Sequence, residues 1–221
     1  MPKTIEITIY QYNELSEKAK EKARDNYLTN WMHDDWSDRT IDYMKEEGHH
    51  KHGFRVDDIR FSGFWSQGDG ASWCGSVNVP AWIKSKPTEY QQHATTQIIL
   101  ALIDEGWVDE QVLESFGSSR HVHEYSMDIT EIAGHEPEDD DLKVESGMFK
   151  GASVRELMHI VGCTGGALYD MDKELKEDVI AFARTIYREL EADYEAQTTE
   201  EAIAEAYAIN DVWFDESGRM A

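Results

Sequence analysis

Cysteine is almost missing from this chain. Cys74 and Cys163 are the only two in 221 residues, far apart and without CxxC spacing. That excludes a disulfide framework or a cysteine-based zinc site as the organising feature, and it makes a reducing compartment the expected setting. Basic residues are also scarce, with 21 Lys and Arg against 45 Asp and Glu and a formal net charge of −24. So much negative charge repels phosphate backbones, so direct DNA or RNA binding is not expected. No apolar run approaches the length of a membrane span, and Met1-Pro2-Lys3-Thr4-Ile5-Glu6 lacks the apolar region of a secretory signal. The expectation is a soluble cytoplasmic protein. GxGxxG, GxxxxGK[ST], HExxH, EF-hand, nucleophile-elbow and kinase patterns are all missing.

What is present argues for a packed core. The chain is 40% hydrophobic and 11% aromatic, above the range of disordered sequences. Its centre is Phe61-Ser62-Gly63-Phe64-Trp65-Ser66-Gln67-Gly68-Asp69-Gly70-Ala71-Ser72-Trp73-Cys74-Gly75. Val56, Ile59, Phe61 and Trp65 supply apolar weight before the glycines. After them Ala71, Trp73, Val77 and Val79 alternate with small or polar residues, the period of a half-buried strand. A β-hairpin over roughly residues 54–79 follows, closed by Pro80. Its tip is rich in residues that tolerate positive φ. Ser66, Gln67, Gly68, Asp69, Gly70 and Ser72 offer more hydrogen-bonding groups than a turn needs. They are the candidate ligand set, with backbone amides as a possible anion cradle. The competing reading is a plain turn.

Along the rest of the chain, Ile5, Ile7 and Ile9 alternate with polar residues and predict a first strand. Leu15 to Met32 has helical spacing, capped by Asn13 or Ser16, and a second helix covers about Asp35 to Glu47. His49-His50-Lys51-His52-Gly53 reads as a loop. Thr88 starts a helix through Leu102, and Val108 to Phe116 reads as a further short helix. Arg120 to Ile132 reads as a strand. Val154 to Val161, Ala167 to Glu195 and a stretch capped by Thr198 or Thr199 read as helices. The fold class is α+β: an antiparallel sheet with packed helices and a mainly helical, acidic C-terminal part. Residues 134–221 hold 22 acids against 8 bases, net −14, and residues 1–133 carry the other −10. The expected division is therefore 1–133 and 134–221, packed as one unit.

Two constellations could carry chemistry. On a strand from Arg120, His121 and His123 would share one face, as two metal ligands or an acid–base pair do, while Glu124 would face away. Asp69 would complete a set if the hairpin tip reaches that strand. The alternative is two histidines on a partly exposed sheet face. His159 and Cys163 form a further, poorer nucleophile–base candidate. The second constellation is the acidic run of Glu136, Glu138, Asp139, Asp140 and Asp141.

Several blocks together resemble a family of tailed-bacteriophage accessory proteins, loosely antitoxin-like. They are Leu15-Ser16-Glu17-Lys18-Ala19-Lys20, the Ser62-Gly63-Phe64-Trp65-Ser66-Gln67-Gly68-Asp69-Gly70 core, Arg120-His121-Val122-His123-Glu124, and the tail from Thr199 through Phe214 to Gly218. The resemblance implies a phage gene expressed in the bacterial host cytoplasm, and it implies no catalytic residue. The expected function is therefore binding and inhibition of a bacterial host or defence protein. The acidic surface, Glu136 to Asp141 included, would engage a basic nucleic-acid-binding site, with no cofactor. The alternative is a nucleotide- or metal-binding enzyme that uses the Ser66–Gly70 tip with His121 and His123.

Overall fold

In chain order the helices and strands are α1 (Glu17–Asn26), α2 (Asp38–Glu47), β1 (Phe54–Phe61), β2 (Ala71–Asn78), α3 (Val79–Ser85), α4 (Thr88–Gln91), α5 (Ala94–Asp104) and β3 (Gln111–Phe116). They continue with β4 (Met127–Ile129), α6 (Val154–Val161), α7 (Ala167–Gln197) and α8 (Glu200–Ile209). A computed structural model of the protein describes residues 7–32, 35–117, 122–162 and 166–221. Helices and one antiparallel sheet make it an α+β protein, as the patterning predicts.

The chain divides into two compact units, Met1–Thr40 with Glu189–Ala221, and Ile41–Arg188. The expected division at 133/134 falls inside the second of these. The reason is apolar. Tyr12, Leu15, Ala19 and Ala23 near the start of the chain share a buried cluster with Ile203, Tyr207 and Phe214 near its end. Tyr207 packs edge-on to Phe214 at 4.9 Å and donates its hydroxyl to the Ala23 carbonyl at 2.8 Å. Charge density marks no structural boundary because it is a property of the surface, and this cluster is core. Ser16 caps α1 by accepting from the Ala19 N–H, and Thr199 caps α8 by accepting from Ala202. The predicted first strand is not formed over its described residues. Ile7 and Ile9 are 68% and 44% exposed, and only Tyr10 bridges, to Phe214. Alternation makes a strand only where a sheet edge accepts it.

In the central unit the strands run β1-β2-β3-β4, each antiparallel to the next. Phe54 pairs with Val77 and Ile59 with Trp73, with a bulge between Val56 and Asp58, so the predicted hairpin is present. The face carrying Phe54, Val56, Ile59, Trp73, Val77 and Val112 is buried. Phe182 of α7 packs on it, 5.4 Å from the Phe54 ring and 5.9 Å from Trp73. Trp73 Nε1 donates to the Val179 carbonyl at 3.4 Å.

Two expectations are corrected here. The segment predicted as a helix over 108–116 is strand β3 from residue 111, with Val112 and Glu114 inward and Gln111, Leu113 and Ser115 outward. A carboxylate at an inward position hid the alternation. The strand predicted from Arg120 to Ile132 shrinks to β4, because residues 124–126 wind into a 3-10 turn. Arg120 and His121 lie outside the described residues.

Glu114 sits on the core face opposite Gly75 and Ile129, 3% exposed. Neither of its carboxylate oxygens has a hydrogen-bond partner among the described residues. Burial alone pushes its pKa from the ordinary glutamate range up to about 9. The folded chain therefore keeps a proton that the unfolded chain releases above the ordinary range. Between those limits stability falls as pH rises, by about 1.4 kcal/mol per unit. Urea denaturation of wild type and Glu114→Gln at pH 5, 7 and 8.5 should show the variant gaining on wild type at each step upward. A constant difference across the series would contradict a buried neutral carboxyl.

Candidate functional site

The hairpin tip spends most of its polar surplus on itself. Ser62 N–H donates to the Gly70 carbonyl at 3.1 Å, and Gly70 N–H returns a bond to Ser62 Oγ at 3.0 Å. Asp69 Oδ2 accepts the Ser66 N–H at 2.7 Å, while Asp69 N–H donates to the Ser66 carbonyl. The carboxylate that could reach a ligand is thus the one that closes the turn. Ser66, Gln67 and Gly68 are exposed, Gly70 is buried, and Ser72 lies inside β2 at 2% exposure. Trp65 takes φ +73°, a conformation uncommon for an aromatic residue, and stands 67% exposed beside the tip.

The tip does reach His123. A Cβ added to Gly70 would lie 3.1 Å from both Cα and Cδ2 of His123, so any larger residue here requires His123 to yield by a few tenths of an ångström. His123 caps the 3-10 turn: its N–H donates to Ser126 Oγ at 3.2 Å, and Ser126 Oγ returns a bond to its carbonyl at 2.7 Å. That turn brings Glu124 to the histidine where a strand would have sent it to the opposite face. Glu124 Oε2 lies 3.0 Å from His123 Nδ1, and its Oε1 accepts from Arg184 Nε at 3.0 Å. Arg184 also donates to the Tyr125 hydroxyl, and Tyr125 stacks on the His123 ring at 5.2 Å. The result is a linked row, His123–Glu124–Arg184–Tyr125, set against Gly70. Sequence spacing reaches neither Arg184 nor its role, because sixty residues separate it from Glu124. His121, the other expected member, lies outside the described residues, as does Cys163, the nucleophile expected to pair with His159. Among those described, no group of three or more His, Cys, Asp and Glu is arranged to hold a metal ion.

The acidic run occupies a different part of the central unit. Glu136, Glu138, Asp139, Asp140 and Asp141 are all exposed. Arg155 of α6 holds their loop, donating to the Pro137 carbonyl at 2.9 Å and pairing with Asp140 Oδ1 at 2.6 Å. Asp139 Oδ1 accepts the Asp141 N–H at 2.9 Å. Beyond the run, Val144 is buried, and its N–H and carbonyl bond to Ala152 and Gly151. Glu105 takes the N–H groups of Glu145 and Ser146. The carboxylates stand on a loop whose backbone is tied down at both ends.

These features define an α+β protein with an anchored acidic loop and a histidine–carboxylate–guanidinium row, and none of its described helices is long and apolar enough to cross a membrane. The chain belongs to a family described as a domain of unknown function, DUF8835, whose model matches residues 36–200. No curated protein and no solved structure matches it.

The Gly70–His123 approach has a direct consequence. Gly70→Ala should lower stability by about 1–3 kcal/mol through overpacking and should shift the His123 ring resonances in NMR spectra. Unchanged resonances and an unchanged denaturation midpoint would contradict the close approach.

Proposed function

We propose that the protein is a binding module whose acidic surface occupies the basic nucleic-acid-binding site of a bacterial host or defence protein and inhibits it. The observation that carries this reading is the anchored loop. It presents five exposed carboxylates within six residues, and Asp140 alone among them is paired within the described residues. An unneutralised row on an ordered backbone is matched to a row of Lys and Arg, and loop order that precedes binding lowers its entropic cost. The net charge of −24 supplies long-range steering toward such a surface. The phage resemblance gives the setting in which an inhibitor of this kind operates.

A second reading keeps a small ligand at the hairpin tip. It is favoured by the packing of Gly70 on His123, which brings the His123–Glu124 pair to the hairpin whose tip residues Ser66, Gln67 and Gly68 are exposed.

Displacement of a fluorescent DNA duplex from a panel of bacterial nucleic-acid-binding proteins, followed by anisotropy, tests the first reading. Wild type should displace the duplex from at least one of them, and more weakly by about tenfold or more as salt rises from about 50 to 200 mM. The variant with Glu136 and Glu138 changed to Gln and Asp139, Asp140 and Asp141 changed to Asn should lose most of that activity. Equal displacement by this variant, or none by wild type, overturns the proposal.

A further inference from the structure

A cavity of about 770 Å³ lies between α4–α5 and the first turns of α7. That volume is in the range of small-molecule sites. Ile99 and Met171 give it a buried apolar floor, and the Tyr90 ring forms one wall. The carboxylates on its rim, Glu89 and Asp170, enter no ion pair among the described residues. Glu174 lies one helical turn beyond Asp170 on the same side of α7. Thr96 also lines the cavity. It is only 4% exposed, and its hydroxyl makes no hydrogen bond among the described residues. At the cavity wall, that hydroxyl is available to a ligand or a water as donor or acceptor.

The chain's own lysine shows what these walls accept. Lys86 Nζ lies 2.8 Å from Glu174 Oε1 and 2.5 Å from Asp178 Oδ2, with the Trp82 ring centre at 4.6 Å and the Tyr90 ring centre at 5.7 Å. Carboxylates and aromatic faces around an ammonium form a cation cage. Tyr90 and Glu174 belong both to that cage and to the cavity beside it. Lys86 already answers the charge of Glu174 and Asp178, whereas Asp170 and Glu89 have no counter-charge among the described residues.

We propose that this cavity binds a small organic cation, a primary ammonium on an apolar body. The ammonium is taken by Asp170 and Glu89 with Thr96 Oγ1 as a further acceptor, and the body lies on Ile99, Met171 and Tyr90. A neutral molecule of the same shape leaves the two carboxylates unanswered, and an anionic one meets them as like charges. The site is independent of the acidic loop.

Isothermal titration calorimetry on the full chain tests it, with tryptamine, phenethylamine and hexylamine as amine probes. Tryptophol and indole-3-propionate serve as the neutral and anionic counterparts of tryptamine. At least one amine should bind, with tryptophol about tenfold or more weaker than tryptamine, and indole-3-propionate should not bind. Asp170→Asn, a change at an exposed position, should weaken the amine about fivefold, and Thr96→Val should weaken it as well. The variant with the neutralised 136–141 loop should bind the amine as wild type does. Failure of all three amines, equal binding of tryptophol, or an Asp170→Asn variant with unchanged affinity overturns the proposal.

Discussion

The burial of Trp73 is the contact on which the central unit depends. Its ring lies against Phe54 on the neighbouring strand and Phe182 on α7, and its Nε1 reaches the Val179 carbonyl of that helix. A large apolar body with one satisfied donor fixes both how close the helix comes and where it sits along its axis. The other links follow from that register. Asp172 meets the Ile132 N–H at 2.9 Å and holds the strand-side chain leading to the acidic loop. Arg184, further along α7, arrives at Glu124 and Tyr125. Asp170 and Glu174 come to line the cavity beside α4 and α5. One aromatic contact therefore places the features on which the proposals rest.

Much of the fold was legible because short-range chemistry decides it. Alternation around Trp73 gave the hairpin, and Ser16 and Thr199 mark helix starts that the structure retains. The errors arose where a distant partner decides. Ile7 and Ile9 alternate correctly yet find no neighbouring strand. The β3 segment carries Glu114 at a core position, so its pattern looks polar where it is buried. The division into units was misread because charge was used for a question that buried residues answer: Phe214 and Tyr207 close on Tyr12 across almost the whole sequence.

The candidate site was legible only in part, for the same reason. Glycine at position 70 was read as turn chemistry, and the structure adds that it makes room for His123. The expected strand would have separated His123 from Glu124, whereas the Ser126 capping bonds wind the chain and join them. Arg184 and Arg155 carry no local signal, since each acts on a segment remote in sequence. The acidic run was visible from composition. Its anchoring by Arg155, which turns a charge run into an ordered surface, was not.

The central claim is that the Glu136–Asp141 carboxylates form the recognition surface. Carbodiimide labelling of Asp and Glu, read by mass spectrometry with and without a bound nucleic-acid-binding protein, addresses it residue by residue. The account predicts strong protection of Glu136, Glu138, Asp139 and Asp141 in the complex, with the α8 acids Glu201 and Glu205 reacting as in the free chain. Full reactivity across the loop in a formed complex, with protection elsewhere, would contradict it.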